Sequence, residues 1–288
     1  MSNYSDKVYF ITGCSKGLGL EVVIQLLKSG MKVVATSRDT NQMIQEIKSV
    51  DESLINDNNL LALKMDLTCE QSIKTAVDEA IKKFKYIYAV INNAGYGLSG
   101  TVEELSLTEI RKQFEINVFG VITVLHYIIP NLRLRHYADP RIINIGSIAG
   151  FNAEFASYSI YCSTKFALAG LSEGLAYDLK EFGVKVTVVY LGSFRTQFHE
   201  STSKPQNKME EYTEVRKMDR IFAERAGKQI GDPVKAAKAL VQLSLDINPA
   251  LDLFLGSTSV RIAEEKIKKL QSQIDSNRDF CNNTDFTS

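Results

Sequence analysis

The sequence predicts a single α/β domain built on a doubly wound sheet of seven parallel strands, with helices on both faces. Seven short apolar runs alternate with segments of helical periodicity along the 288 residues, and this alternation is typical of a parallel sheet. Most runs are almost continuously apolar, as expected of strands buried on both faces. No repeat or Pro/Gly-rich linker divides the sequence. We therefore expect one domain over residues 1–275 and a polar tail at 276–288.

The elements follow from these patterns in chain order. The strands are expected at Val8–Thr12, Lys32–Ser37, Leu60–Asp66, Tyr88–Asn92, Arg141–Ser147, Lys185–Tyr190 and Asp252–Leu255. The helices are expected at Leu18–Lys28, Cys69–Phe84, Leu107–Arg135, Tyr158–Phe182, Val234–Leu245 and Thr258–Ile274. Residues 193–231 are polar and weakly periodic, which suits a mobile helical insertion over a binding site.

Composition excludes several classes of function. The formal net charge is zero and no Lys/Arg stripe stands out, so we expect neither a nucleic-acid partner nor a membrane surface. The four cysteines lie far apart without a C-x-x-C motif, so we expect no metal site and no disulfide framework. Reduced thiols and the absence of a signal-peptide pattern indicate a cytoplasmic protein.

The first strand leads into a glycine-rich turn, Thr12-Gly-Cys-Ser-Lys-Gly-Leu-Gly19. Glycines at this place allow a tight turn and let the backbone approach a pyrophosphate at a helix N-terminus. The turn predicts a dinucleotide site. Its candidate cofactor-binding residues are Gly13, Ser15, Lys16, Gly17, Leu18 and Gly19.

The end of the second strand bears on the choice of cofactor. An acidic residue at this place holds the 2′-hydroxyl of NAD, but here Ser37 takes that position and Arg38 follows. A guanidinium suits a 2′-phosphate. We therefore expect NADP(H) to be preferred and NAD(H) to remain possible, the preference being weaker if Asp39 rather than Arg38 faces the ribose.

Polar residues also follow other strands, where ligands bind to open α/β sheets. These residues include Asp66, Asn92-Asn93-Ala94-Gly95, Ser147 and Gly192 to Thr196. Tyr161 and Lys165 lie one helical turn apart. A nearby cation lowers the pKa of a phenol, so Tyr161 is a candidate general acid/base, and Ser147 could polarise the same substrate oxygen.

These motifs, in this order and spacing over about residues 6–270, resemble the short-chain dehydrogenase/reductase family, near its hydroxysteroid and retinol dehydrogenases, which has a Rossmann-like fold. The resemblance implies that Tyr161 is the acid/base, that Lys165 holds the nicotinamide ribose and lowers the tyrosine pKa, and that Ser147 binds the substrate oxygen. It further implies that Asn117 sits on a helix break and holds a water. The cofactor contacts it implies are Asp66, Leu67, Asn93, Ala94, Gly95 and Thr196.

The resemblance implies an oxidoreductase that transfers a hydride between NADP(H) and a hydrophobic alcohol or carbonyl compound. The aromatic residues Phe151, Phe155, Tyr190 and Phe194 are candidates for an apolar pocket. A homo-oligomer, dimer or tetramer, is expected through the two long helices. Two alternatives remain open, a non-catalytic NADP(H)-binding regulator or scaffold and a dehydratase or epimerase on the same fold.

Overall fold

The computed structural model describes residues 4–134, 136–198 and 201–286, which form one seven-stranded parallel sheet in the order β3-β2-β1-β4-β5-β6-β7. The strands are β1 Val8–Ile11, β2 Lys32–Ser37, β3 Leu60–Lys64, β4 Ala89–Asn92, β5 Arg141–Ile145, β6 Lys185–Leu191 and β7 Asp252–Leu255. The helices are α1 Gly17–Lys28, α2 Thr40–Val50, α3 Glu70–Phe84, α4 Leu107–Phe114, α5 Gly120–Leu132, α6 Ser159–Asp178, α7 Thr213–Arg225, α8 Pro233–Leu245 and α9 Ser257–Asn282.

The sheet separates two apolar cores, because successive strand side chains point to opposite faces. On one face Ile11 and Val33 join a cluster with residues of α1 and α8. On the other face Phe10 and Val34 join a cluster with residues of α3, α5 and α6. The inner strands are buried along their whole length, which explains their continuous apolar runs. The predicted fold class is confirmed.

The strand order places the functional groups. The sequence order reverses between β1 and β4, which pair directly and in parallel. Ligands of open α/β sheets bind at such a reversal, outside the carboxyl ends of the strands. The glycine turn after β1 and the residues after β4 therefore border the same crevice.

Three elements differ from the sequence-based expectation. Helix α2 was not expected, because only Met43 and Ile47 of it are buried and they form too short an apolar face to stand out. The long helix predicted at Leu107–Arg135 is interrupted by a π-helical turn at Glu115–Phe119, and Arg135 lies outside the described residues. The last helix ends at Asn282 rather than Ile274, because its polar, exposed end carries little apolar signal.

The segment Leu107–Leu132 is the one described stretch that is long and apolar enough to cross a membrane by length and composition. Half of that stretch is buried within the protein. Residues Val121, Val124 and Ile128 belong to the core on one face of the sheet. The stretch is therefore accounted for as a core helix.

Candidate active site

The glycine turn after β1 has a backbone that only glycine tolerates well. Gly13 has a φ of +72° and Gly17 a φ of +60°. At Gly19 a Cβ would lie 2.4 Å from the carbonyl oxygen of Gly13 and 2.4 Å from Nδ2 of Asn93. The Asn93 amide donates to the carbonyl oxygens of Thr12 (2.9 Å) and Gly13 (3.0 Å), so the residue after β4 braces the turn after β1.

The turn opens into a cleft of about 970 Å³ at the carboxyl end of the sheet. Every residue predicted to contact a cofactor lines it, namely Gly13, Ser15, Lys16, Gly17, Leu18, Gly19, Ser37, Arg38, Asp66, Leu67, Asn93, Ala94, Gly95, Tyr161, Lys165 and Thr196. Thr196 lies across from the glycine turn, since a Cβ on Gly17 would be 3.7 Å from the Thr196 Cβ. Sequence reasoning missed other lining residues, such as Gln42, Tyr96 and Ile116, which follow the motifs without belonging to them.

At one end of the cleft the side chains of β2 and β3 meet. The Asp39 carboxylate accepts from the N–H of Gln42 at 3.1 Å and caps α2, and Ser37 Oγ accepts from the N–H of Asp39 at 3.1 Å. Asp66 accepts from the backbone and hydroxyl of Thr68, and these bonds, with the nearby Arg38, hold its pKa below the ordinary range. Arg38 is exposed in the cleft wall. The capping bond gives Asp39 a structural role and leaves the Arg38 guanidinium as the cation at this end.

At the other end, Ser147, Tyr161 and Lys165 converge. Ser147 begins a short 3₁₀ turn, Ile148–Gly150, which packs tightly on α6, since a Cβ on Gly150 would be 2.6 Å from the Lys165 carbonyl oxygen. This close packing places the Ser147 hydroxyl beside the Tyr161 phenol, where it opposes part of the rise in the phenol pKa. The Lys165 ammonium donates to the carbonyl oxygen of Ile145 at 2.9 Å and lies 5.9 Å from the Tyr161 ring centre.

The protonation of this group is governed by burial. Burial raises the pKa of Tyr161 well above its ordinary value, and the hydrogen bond from Ser147 only partly opposes that shift. Burial also lowers the pKa of Lys165 to about 8. Desolvation disfavours both charged forms, so the net shift of the tyrosine pKa is upward. That Lys165 lowers this pKa stays a prediction, and with the raised pKa the tyrosine holds its proton and can donate it.

Asn117 lies in the π-helical turn between α4 and α5, on the helix break that the resemblance implied. Its buried amide accepts from the N–H of Tyr96 at 3.1 Å and donates to the Tyr96 carbonyl oxygen at 3.0 Å. It also donates to the hydroxyl of Thr164 at 3.2 Å. The π turn thus ties the loop after β4 to the helix that carries Tyr161 and Lys165. These contacts make Asn117 a positioning residue.

Aromatic residues cover the cleft around Tyr161. Phe198 lies 5.7 Å from the Tyr161 ring, and Tyr158 lies 5.3 Å from Phe222 of α7. Phe155 and Phe194 line the cleft as expected. Phe151 and Tyr190 instead pack on Phe254, at 5.0 and 4.8 Å between ring centres. The expectation that these two rings line the pocket is wrong, because β7 offers them an aromatic partner outside it.

The residues between 7 and 207 match the short chain dehydrogenase family. This match covers well over half of the sequence and contains both the glycine turn and the Ser147–Tyr161–Lys165 group. The chain belongs to the short-chain dehydrogenase family.

Two curated members of the short-chain dehydrogenase family show the range of its relatives. An uncharacterised oxidoreductase of Schizosaccharomyces pombe is 31% identical over 268 residues, which cover 93% of this chain and 88% of that one. Estradiol 17-beta-dehydrogenase 1 of Rattus norvegicus is 32% identical over 196 residues, which cover 67% of this chain and 56% of that one. The chain is thus an oxidoreductase of this family.

Solved structures agree with the short-chain dehydrogenase fold. A short-chain dehydrogenase from Streptomyces avermitilis superposes with a TM-score of 0.87 at 28% identity, over 97% of this chain and 99% of that one. ElxO, solved with NADP bound, superposes with a TM-score of 0.72 at 25% identity, over 88% of this chain and 99% of that one. A short chain dehydrogenase/reductase from Burkholderia phymatum, solved in complex with NAD, shares the fold. Its TM-score is 0.80 at 19% identity, over 95% of this chain and 97% of that one.

The short-chain dehydrogenase cleft of this chain fits a nicotinamide dinucleotide. The positive-φ glycines and the bare Cα of Gly19 leave the backbone open where a pyrophosphate would lie against the start of α1. The cleft runs from Arg38 to Tyr161, past both the glycine turn and Thr196. No cluster of His, Cys, Asp and Glu side chains suited to a metal ion occurs among the residues the structure describes.

Proposed function

We propose that this protein is an NADP(H)-dependent alcohol dehydrogenase and carbonyl reductase that acts on hydrophobic substrates. One observation carries the proposal: Ser147 and Tyr161, with Lys165 one turn further along α6, line the same cleft as the glycine turn. A proton donor and a dinucleotide site that share a cleft are what carbonyl reduction requires.

In the proposed reaction the residues act on the substrate oxygen. A bound nicotinamide supplies or accepts the hydride at the carbonyl carbon. Ser147 donates a hydrogen bond to the substrate oxygen, and Tyr161 gives that oxygen its proton during reduction or removes it during oxidation. Lys165, fixed by the Ile145 carbonyl, holds the cofactor ribose, and its pKa of about 8 lets it carry a proton near neutral pH.

The hydrophobic substrate class follows from the rings around Tyr161. Phe155, Tyr158, Phe198 and Phe222 leave the substrate side of the cleft largely apolar, and the estradiol dehydrogenase of rat is among the relatives. The test is a panel of ring ketones, aryl aldehydes and matched polar ketones, each followed by NADPH consumption. Turnover of apolar carbonyls above their polar analogues supports the proposal, and no turnover despite tight NADPH binding would favour the regulator reading.

The Arg38→Ala variant is expected to bind NADPH about 10- to 100-fold more weakly and to bind NADH as before. The guanidinium at the end of β2 is suited to a 2′-phosphate, and a hydrogen bond to a charged group contributes about 1.5–3 kcal/mol. Titration followed by the fluorescence of the reduced cofactor measures both affinities. The Arg225→Ala variant, which removes an exposed arginine at the end of α7, is the matched control. Equal losses for both cofactors would contradict the assignment.

We also propose that the chain forms a homo-oligomer through the face built by α5 and α6 and that it works in the cytoplasm. Phe119, Ile122 and Phe166 are exposed on or beside these helices, and such apolar groups suit an interface. All four cysteines are free, which fits a reducing compartment.

A further inference from the structure

The apolar residues of helix α9 leave the body of the protein after its second turn, although Lys266 still reaches the Phe166 ring of the domain at 5.5 Å and Lys269 still pairs with Glu154. Ser259 and Ala263 are buried against the domain, but every described residue from Ile267 to Phe286 is exposed. A single helix that projects into solvent gains no stability from packing. Its apolar residues need a surface that this chain alone does not provide.

The apolar residues of α9 form a seam with a seven-residue repeat. Successive positions are separated alternately by three and four residues, the spacing of core positions in a coiled coil. The part of the seam that is free of the domain consists of Ile267, Leu270, Ile274, Asn277 and Cys281, and it continues the phase of Val260 and of Ala263, which is buried against the domain. Ile267, Leu270 and Ile274 are 54%, 42% and 56% exposed, so the centre of the seam is bare. Isoleucine and leucine alternate at these positions, as they do in the core of coiled coils.

The charged side chains of α9 favour one orientation of a second α9 helix, antiparallel to the first. If two copies of α9 run antiparallel with Leu270 opposite the partner's Ile274, then Glu264 lies beside the partner's Arg278, and symmetry repeats that pair. A parallel pairing would place the partner's Ser259 beside Glu264 and the partner's Gln273 beside Arg278 instead, so neither charge would be neutralised. In the single chain Arg278 contacts Asp275 of its own helix at 2.5 Å, an exposed pair that is exchanged at little cost.

We propose that α9 pairs with α9 of a second copy as an antiparallel two-stranded coiled coil centred on Ser272. Over residues 264–280, beyond the part of α9 that packs on the domain, the two helices overlap by about 25 Å. The seam is complementary to itself about a twofold axis, so it closes as a dimer contact. The polar side of the helix mixes acidic and basic side chains evenly, without the strong positive charge of a membrane-bound helix. This contact is separate from the α5 and α6 face.

The test is the mass of the full-length protein in solution, measured by size-exclusion chromatography with light scattering. The Leu270→Glu/Ile274→Glu variant is expected to have half the wild-type mass, because it puts four carboxylates in the seam. Both side chains are exposed in the single chain, so the domain itself is expected to fold. The Ser272→Glu variant, on the outer side of the same helix, is the control and keeps the wild-type mass. A monomeric wild type, or a seam variant with wild-type mass, would overturn the pairing.

A charge exchange tests the antiparallel orientation. Glu264→Arg alone and Arg278→Glu alone are each expected to raise the dissociation constant of the α9 contact about tenfold, since two exposed pairs become repulsive. The double variant Glu264→Arg/Arg278→Glu is expected to restore it. Single variants without effect, or a double variant weaker than both, would overturn the antiparallel register even if the seam variant dissociates.

Discussion

Replacement of Tyr161 by phenylalanine is expected to lower kcat for carbonyl reduction about a thousandfold, with NADPH affinity unchanged. General acid catalysis contributes typically 10²–10⁴-fold, and the Tyr161 phenol, whose pKa burial raises, is a protonated group that lines the cleft together with Ser147. Phenylalanine keeps the ring that packs on Phe198 at 5.7 Å, so the shape of the pocket is preserved. Single-turnover kinetics with saturating NADPH measure the chemical step.

The control for this prediction is Tyr177→Phe. Tyr177 lies on the same helix, α6, but is 73% exposed and distant from the Ser147 turn. This variant should keep wild-type kcat and thermal stability. If Tyr161→Phe retained more than about a tenth of wild-type kcat, another group would supply the proton. A dehydratase or epimerase that uses the same cleft would give turnover without net consumption of NADPH, which the same assay detects.

The fold was predictable because strands that are buried on both faces of a sheet have continuously apolar sequences. Strands such as Val8–Ile11 and Arg141–Ile145 are buried at every position, so their apolar runs are continuous. The polar residues that end such runs must gather at one edge of a parallel sheet. This reasoning predicts that Asp66, Asn93 and Ser147 lie at one edge of the sheet, and all three line the cleft.

Features that depend on distant contacts were not predictable. Whether Phe151 faces the pocket or Phe254 depends on where β7 lies, and periodicity does not fix that. The direction of the Tyr161 pKa shift depends on how deeply the phenol is buried, whereas the spacing to Lys165 shows only that a cation is near. The ion pair of Glu104 and Arg216 joins residues 112 positions apart and has no local signal.

We expect the ion pair of Glu104 and Arg216 to hold helix α7 in place over the cleft, and we call this contact the lock. Glu104 has a fully buried side chain, and its Oε1 accepts from the Arg216 guanidinium at 2.5 Å and from the N–H of Met209 at 2.9 Å. Its Oε2 accepts from the N–H of Thr101 at 2.9 Å. Arg216 belongs to α7, which also carries Phe222 over the cleft. One carboxylate therefore ties the loop after β4 to the segment that closes the substrate site.

The Glu104→Ala variant is expected to destabilise the protein by about 3 kcal/mol, because it removes the nearer of two carboxylates beside the buried Arg216 guanidinium and leaves the N–H groups of Thr101 and Met209 without their acceptor. Asp219, 3.6 Å from Arg216 Nη1, offsets part of the loss, but the Nε and Nη1 atoms of Arg216 have no hydrogen-bond partner within the described structure. We expect a lower Tm and faster hydrogen exchange over residues 209–225. The substrate KM should also rise, since α7 would close less often. The Glu214→Ala variant is the control, as its pair with Lys217 on the same helix is 81% and 63% exposed and contributes little.

Because the ion pair with Arg216 needs the charged form of Glu104, its contribution to the free energy of unfolding depends on pH. Burial alone would raise the pKa of Glu104, but the N–H groups of Met209 and Thr101 and the Arg216 charge outweigh it and hold the pKa below 4.5. A depressed pKa contributes stability above the unfolded-state value, and that contribution is lost as pH falls through the folded-state value. The stability difference between wild type and Glu104→Ala should therefore be constant above about pH 5 and shrink below it. A difference that grew on acidification would mean that Glu104 is protonated in the native protein, and the lock would then be a neutral hydrogen bond.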